Sequence, residues 1–154
     1  MGIIMAQGNG LQVGVGTLAS FDAVFTGTVF VANPGDVTYE VVAADDFLLG
    51  IGGGATRVNG AYENPPESGL SPFNEYPLVG AFNQSGGATP QTHAVTVHFP
   101  AAGFYPYELD YFECCGEQLS LTMTAEKFTV DTAALSGFAR QFQPRFQFVI
   151  PAIF

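Results

Sequence analysis

Asp45 and Asp46 stand side by side in VTYEVVAADDFLLGIGGGATRVNG, where an apolar run ends and a glycine-rich turn begins. Adjacent carboxylates repel one another unless a cation, an array of hydrogen-bond donors or water separates their charges. Calcium suits such a pair, because it takes about six to eight oxygen ligands from carboxylates, carbonyls and water. A solvated turn is the plainer reading. Neighbouring side chains in a strand point to opposite faces, so both carboxylates meet one ion only through an unusual backbone, such as a cis peptide or a bulge.

Cys114 and Cys115 are a second adjacent pair, and the chain has no other cysteine. They either close a strained vicinal disulfide ring or remain thiols. Zinc held by these sulfurs with His93 and His98 is disfavoured, since adjacent cysteines rarely both reach one tetrahedral ion. GIGGGATRVNG lacks the Lys-Ser/Thr pair of a phosphate loop, and its glycines more simply permit positive φ. No nucleophile-base-acid arrangement and no G-x-S-x-G stands out. Glu63, Glu67, Glu75, Glu108 and Asp110 contain possible glycosidase pairs, but acidic loops explain them more simply, and no catalytic activity is expected.

The elements that must position these residues are short strands. Residues 24–31 (VFTGTVFV) and 37–43 (VTYEVVA) are β-branched and aromatic, and Asn33-Pro34-Gly35-Asp36 between them predicts a hairpin. Residues 47–51 (FLLGI) form a short apolar strand. Residues 59–92, with five prolines, read as a long inserted loop. Strict alternation returns at 93–99 (HAVTVHF), and 104–112 (FYPYELDYF) is expected to pair with 119–124 (LSLTMT) across the ECCGEQ turn. A helical turn is possible only around 130–135. At the end, Phe142, Pro144, Phe146, Phe148 and Ile150 share one face of an extended segment over 138–154, placed at a sheet edge by Pro144.

The whole is expected to be one all-β domain spanning 1–154, an antiparallel β-sandwich or flattened barrel with long inserted loops. Of 154 residues, fourteen are acidic and four basic, a formal charge of -10. Arg57 is the only basic residue between Asp36 and Glu117. That field excludes nucleic acid and anionic membrane as partners. No apolar run is long enough to span a bilayer, and MGIIMAQGNG lacks the basic start and length of a secretory signal, so no membrane insertion is expected. In the long loop, Phe82 is expected to pack, while Tyr62 and Tyr76 are candidates to stack on a ligand. Asn83-Gln84-Ser85 fits a glycosylation acceptor.

The DD-to-GGG block, followed after a long loop by THAVTVHFPAAGFYPYELDYFECCGEQLSLTM, resembles the flocculin and GLEYA-type adhesin domains within the anthrax-protective-antigen-like family. Asp45-Asp46 match the paired aspartates of the first block, and Ala102-Gly103-Phe104-Tyr105-Pro106 through Tyr111 match the second, over residues 24–123 in all. The resemblance implies a calcium-dependent lectin site in which aspartates joined by a cis peptide hold the ion and sugar hydroxyls complete its shell. By position, Glu113 falls where flocculins carry an asparagine ligand, with the carbonyls of Cys115 and Glu117 as further candidates. Ligand contacts are then expected from Asp45, Asp46, Glu113, Tyr62 and Tyr76, with glycans or cell-surface carbohydrate as partner, at an extracellular, cell or virion surface. The alternative is a structural surface protein, a virion decoration or filament subunit, in which FQFVIPAIF pairs with a second copy.

Overall fold

The computed structural model describes residues 21–84, 86–114 and 120–125. Among them every regular element is a strand: β1 (Phe21–Val31), β2 (Gly35–Ala43), β3 (Asp46–Ile51), β4 (Thr56–Gly60), β5 (Tyr62–Glu63), β6 (Leu78–Phe82), β7 (Gln91–Phe99), β8 (Gly103–Glu113) and β9 (Leu121–Ala125). A five-stranded sheet in the order β1-β8-β3-β6-β5 packs on a four-stranded sheet in the order β4-β7-β2-β9. Pairings are antiparallel except β5 with β6. This is the expected sandwich, open rather than closed into a barrel. The C-terminal segment 138–154 and the helical turn at 130–135 lie outside the described residues.

Alternation decides which face each strand buries. On β7, His93, Val95, Val97 and Phe99 point inward, and on β8 Tyr105, Tyr107, Leu109 and Tyr111 do the same. They meet Tyr39 and Val41 of β2 and Phe47, Leu49 and Ile51 of β3 in one apolar core between the sheets. Burial of these branched and aromatic side chains is the main stabilising term, at about 1.5–3 kcal/mol for each large one.

Two expected pairings are corrected. The strands on either side of Asn33-Pro34 form no hairpin: β1 pairs with β8, and β2 pairs with β7 and β9 in the opposite sheet. Likewise β8 and β9 do not pair but lie in different sheets. In both places the connection carries the chain across the core. An amphipathic strand can satisfy its apolar face from either layer, so composition alone did not choose. The long loop also contains more structure than expected, since β6 is buried along its whole length and carries Phe82 into the core.

Residues 71–76 of that loop lie on the outer face of the five-stranded sheet, over Gly50 and Glu108. Ser71 accepts from Glu75 N–H at 3.2 Å and donates its own N–H to the Tyr76 carbonyl at 2.8 Å, which closes a compact turn. The Glu108 carboxylate holds this turn down. Its Oε1 accepts from Phe73 N–H at 3.0 Å, and its Oε2 accepts from Asn74 N–H at 2.7 Å and from the Asn74 amide. Gly50 makes room beneath, because a Cβ there would stand 2.8 Å from Ser71 Cβ. Glu108 is fully buried under the turn. Its replacement by Ala removes the acceptor of two part-buried backbone donors and of the Asn74 amide, so Glu108→Ala should lose about 1–3 kcal/mol in urea denaturation and become sensitive to protease beside Phe73.

Candidate functional site

The paired aspartates do not point the same way. No described peptide bond is cis, so the cis link expected from the resemblance is absent; instead Asp45 takes a left-handed backbone, φ 66°, which Asp tolerates better than most residues. Its side chain is 2% exposed. Asp45 Oδ1 accepts from Ala88 N–H and Oδ2 from Cys114 N–H at 2.7 Å. One carboxylate thereby joins the β2–β3 turn, the segment before β7 and the end of β8. Asp46 begins β3 on the other side, where its Oδ1 accepts from Gln84 N–H at 2.8 Å.

Glu113 ends β8 on the buried side with Asp45. It accepts a hydrogen bond from the Tyr111 hydroxyl, and both are sealed from solvent. Burial first, and then the Asp45 charge, push the Glu113 carboxyl above the usual range, against the lowering effect of Tyr111. Burial likewise raises Asp46, with Asp45 adding to it and Gln84 N–H opposing. Cys114 is disulfide-bonded. Cys115, the only other cysteine in the sequence, and Glu117 lie outside the described residues. Among the described residues no three His, Cys, Asp or Glu side chains converge as a metal cage would require. They form no cage for an ion shared by Asp45 and Asp46.

The histidines are similarly divided. His98 pairs with Asp36 on the surface at 2.7 Å. His93 is buried against Phe82 and Phe47, and burial lowers its pKa.

Asp46 faces a cavity that the sequence did not reveal. Register places Phe112 of β8 between Asp22 of β1 and Asp46 of β3, and two residues back it places Asp110 between Val24 and Leu48. These six side chains share the outer face of the sheet, because residues opposite one another on adjacent strands point the same way. With the Glu108-anchored turn and Asn83, Gln84 and Gly86 as walls, they bound a cavity of about 590 Å³. Phe73, 61% exposed, stands at its rim. Tyr62 and Tyr76 do not line it: the Arg57 guanidinium lies 4.7 Å from the Tyr62 ring centre, and Tyr76 packs over Gly52. The available signal was the alternation in FYPYELDYF, whose second face reads Phe104, Pro106, Glu108, Asp110, Phe112. That face is too mixed for plain solvent exposure.

Asp110 is a strongly perturbed group of the cavity. Both of its oxygens are shielded from solvent and lack a hydrogen-bond partner among the described residues. Burial, then the neighbouring Glu108 and the more distant Asp22, push its carboxyl up to about 8. Glu108 is meanwhile occupied by the turn above it, so Glu108 and Asp110 are not a pair of carboxyls open to a substrate.

No protein-family model, curated protein or solved structure matches the chain.

A raised carboxyl keeps its proton where the unfolded chain has released it, so the folded state binds more protons and stability falls as pH climbs. For Asp110 that window runs from the ordinary 3.8 to about 8. Asp110→Asn removes the cost of ionising there. Its melting temperature should exceed that of the wild type by more at about pH 8 than at about pH 5, read by circular dichroism. An equal difference at both values would remove Asp110 as the source.

Proposed function

We propose that this chain is a carbohydrate-binding surface module without catalytic activity, related to the protective-antigen-like lectin and adhesin domains that its two sequence blocks resemble. The observation that carries the reading is the cavity beside the DD turn, where carboxyls and amides sit among exposed aromatic rings on a sandwich face. Sugars ask for that combination: hydroxyls for the polar groups and an apolar ring face for the aromatics.

Calcium enters the proposal through the inner side of the turn. Asp45 and Glu113 would hold the ion with carbonyls of Cys115 and Glu117, leaving Asp46 to the cavity. Supporting this division, Asp45 and Glu113 are buried close enough for the charge of one to raise the pKa of the other. An ion there would neutralise them and fix the loop after β8. A surface location, extracellular or on a cell or virion, goes with this reading. The alternative of an assembly subunit joined through 138–154 has its motivating segment outside the described residues.

On a glycan array the full chain should bind a subset of sugars, with the signal lost in Asp46→Ala, and bound oligosaccharides should remain uncleaved. Silence across the array contradicts carbohydrate recognition, and release of reducing ends contradicts a non-catalytic module. In calorimetry the metal-stripped chain should take up calcium at a site lost in Glu113→Gln; no uptake removes the ion and leaves the sugar reading standing.

A further inference from the structure

We propose that the outer-face cavity bounded by Asp22, Asp46, Asp110, Phe73 and Phe112 is itself the sugar seat, that it takes a neutral pyranose, and that it needs no bound metal ion. The inference rests on the carbohydrate reading above and deepens it by naming the ligand class and by separating recognition in the cavity from the ion at the turn.

Size and composition select the ligand class. At about 590 Å³ the cavity lies inside the roughly 300–1,000 Å³ range of small-molecule sites. Asp22 and Asp46 beside it disfavour phosphate, sulfate and carboxylate ligands, as does the overall charge of -10. A metal ion needs several ligands at one point, and among the described residues no such group converges. A neutral polyol fits better. Its hydroxyls donate to Asp22 and Asp46, and they offer partners to the two Asp110 oxygens at the cavity floor, which have none among the described residues. With its carboxyl raised by burial, Asp110 also keeps a proton near neutrality and can donate to a hydroxyl.

The aromatic rings complete the match. Phe112 is 41% exposed between two aspartates, and Phe73 projects from the turn that Glu108 pins by its backbone. A pyranose presents one face of C–H bonds, which such rings cover, while its hydroxyl edge turns to the carboxyls. The backbone beneath Phe73 is fixed before any ligand arrives, which lowers the ordering cost of binding. Phe73 and Phe112 are the large exposed rings that line the cavity.

The test adds the methyl glycosides of glucose, galactose and mannose, separately, to the nitrogen-15-labelled full chain in buffer containing EDTA, and follows backbone amide shifts. At least one sugar should shift amides at Asp22, Phe73, Gln84 and Asp110 to Phe112 in a saturable manner. Phe73→Ala, an exposed site whose variant retains the fold, should weaken that binding about tenfold or more, and Asp110→Leu should abolish it. Phe104→Ser, at the far end of the same face, should leave it unchanged. Shifts confined to Ala44, Asp45 and Cys114 and seen only with added calcium would overturn the inference while leaving the carbohydrate reading intact. No shift with these three sugars, alongside a positive array, would also overturn it; a silent array would remove both.

Discussion

The Asp45 carboxylate is the interaction on which the arrangement at this end of the sandwich depends. Backbone donors from Ala88 and Cys114 meet on one buried side chain, so three separate stretches of chain are joined just beyond the ends of the β3–β8 and β2–β7 ladders. Hydrogen bonds to a charged acceptor are roughly twice as strong as neutral ones. The left-handed residue that places this carboxylate also starts β3 in the register that sends Asp46 outward. The two adjacent acids thus take different work. Asp45 organises the turn, and Asp46 is presented to the cavity.

A second carboxylate does comparable work on the sheet itself. Glu108 stands on the outer face of β8, where an acid would ordinarily meet water, and is buried because the turn from Ser71 to Tyr76 lays its backbone donors across it. The consequence is felt two residues along. Asp110, on the same face, is held away from solvent and lies beside Glu108, which together raise its pKa. Loop anchoring and the character of the cavity floor therefore have one cause, and the same turn carries Phe73 to the rim.

How far the sequence alone reveals this follows from what each signal encodes. Alternation located β2, β7 and β8 because their apolar residues fall at every second position, and the tyrosines of β8 all face the core. It does not tell which sheet each strand joins, so the turn at Asn33-Pro34 reads as a hairpin although it is a crossing between layers. β6 was missed because LVGAF is short, buried on both faces and set among prolines, with no alternation to report it. The DD pair was visible at once, but its division depends on Ala88 and Cys114, far along the chain. The cavity depends on register across β1, β8 and β3 and on a turn held by Glu108, relations that exist only once the sheet has formed.

The division of labour between the two aspartates is tested most directly by urea denaturation of Asp45→Ala and Asp46→Ala, each in buffer with a chelator and in buffer with calcium. A structural Asp45 predicts a loss of about 2–3 kcal/mol for Asp45→Ala even with the chelator, because two part-buried backbone donors lose their charged acceptor, while Asp46→Ala stays within about 1 kcal/mol of the wild type. Equal losses for both variants in calcium, vanishing in the chelator, would contradict it and restore one ion held jointly by the pair.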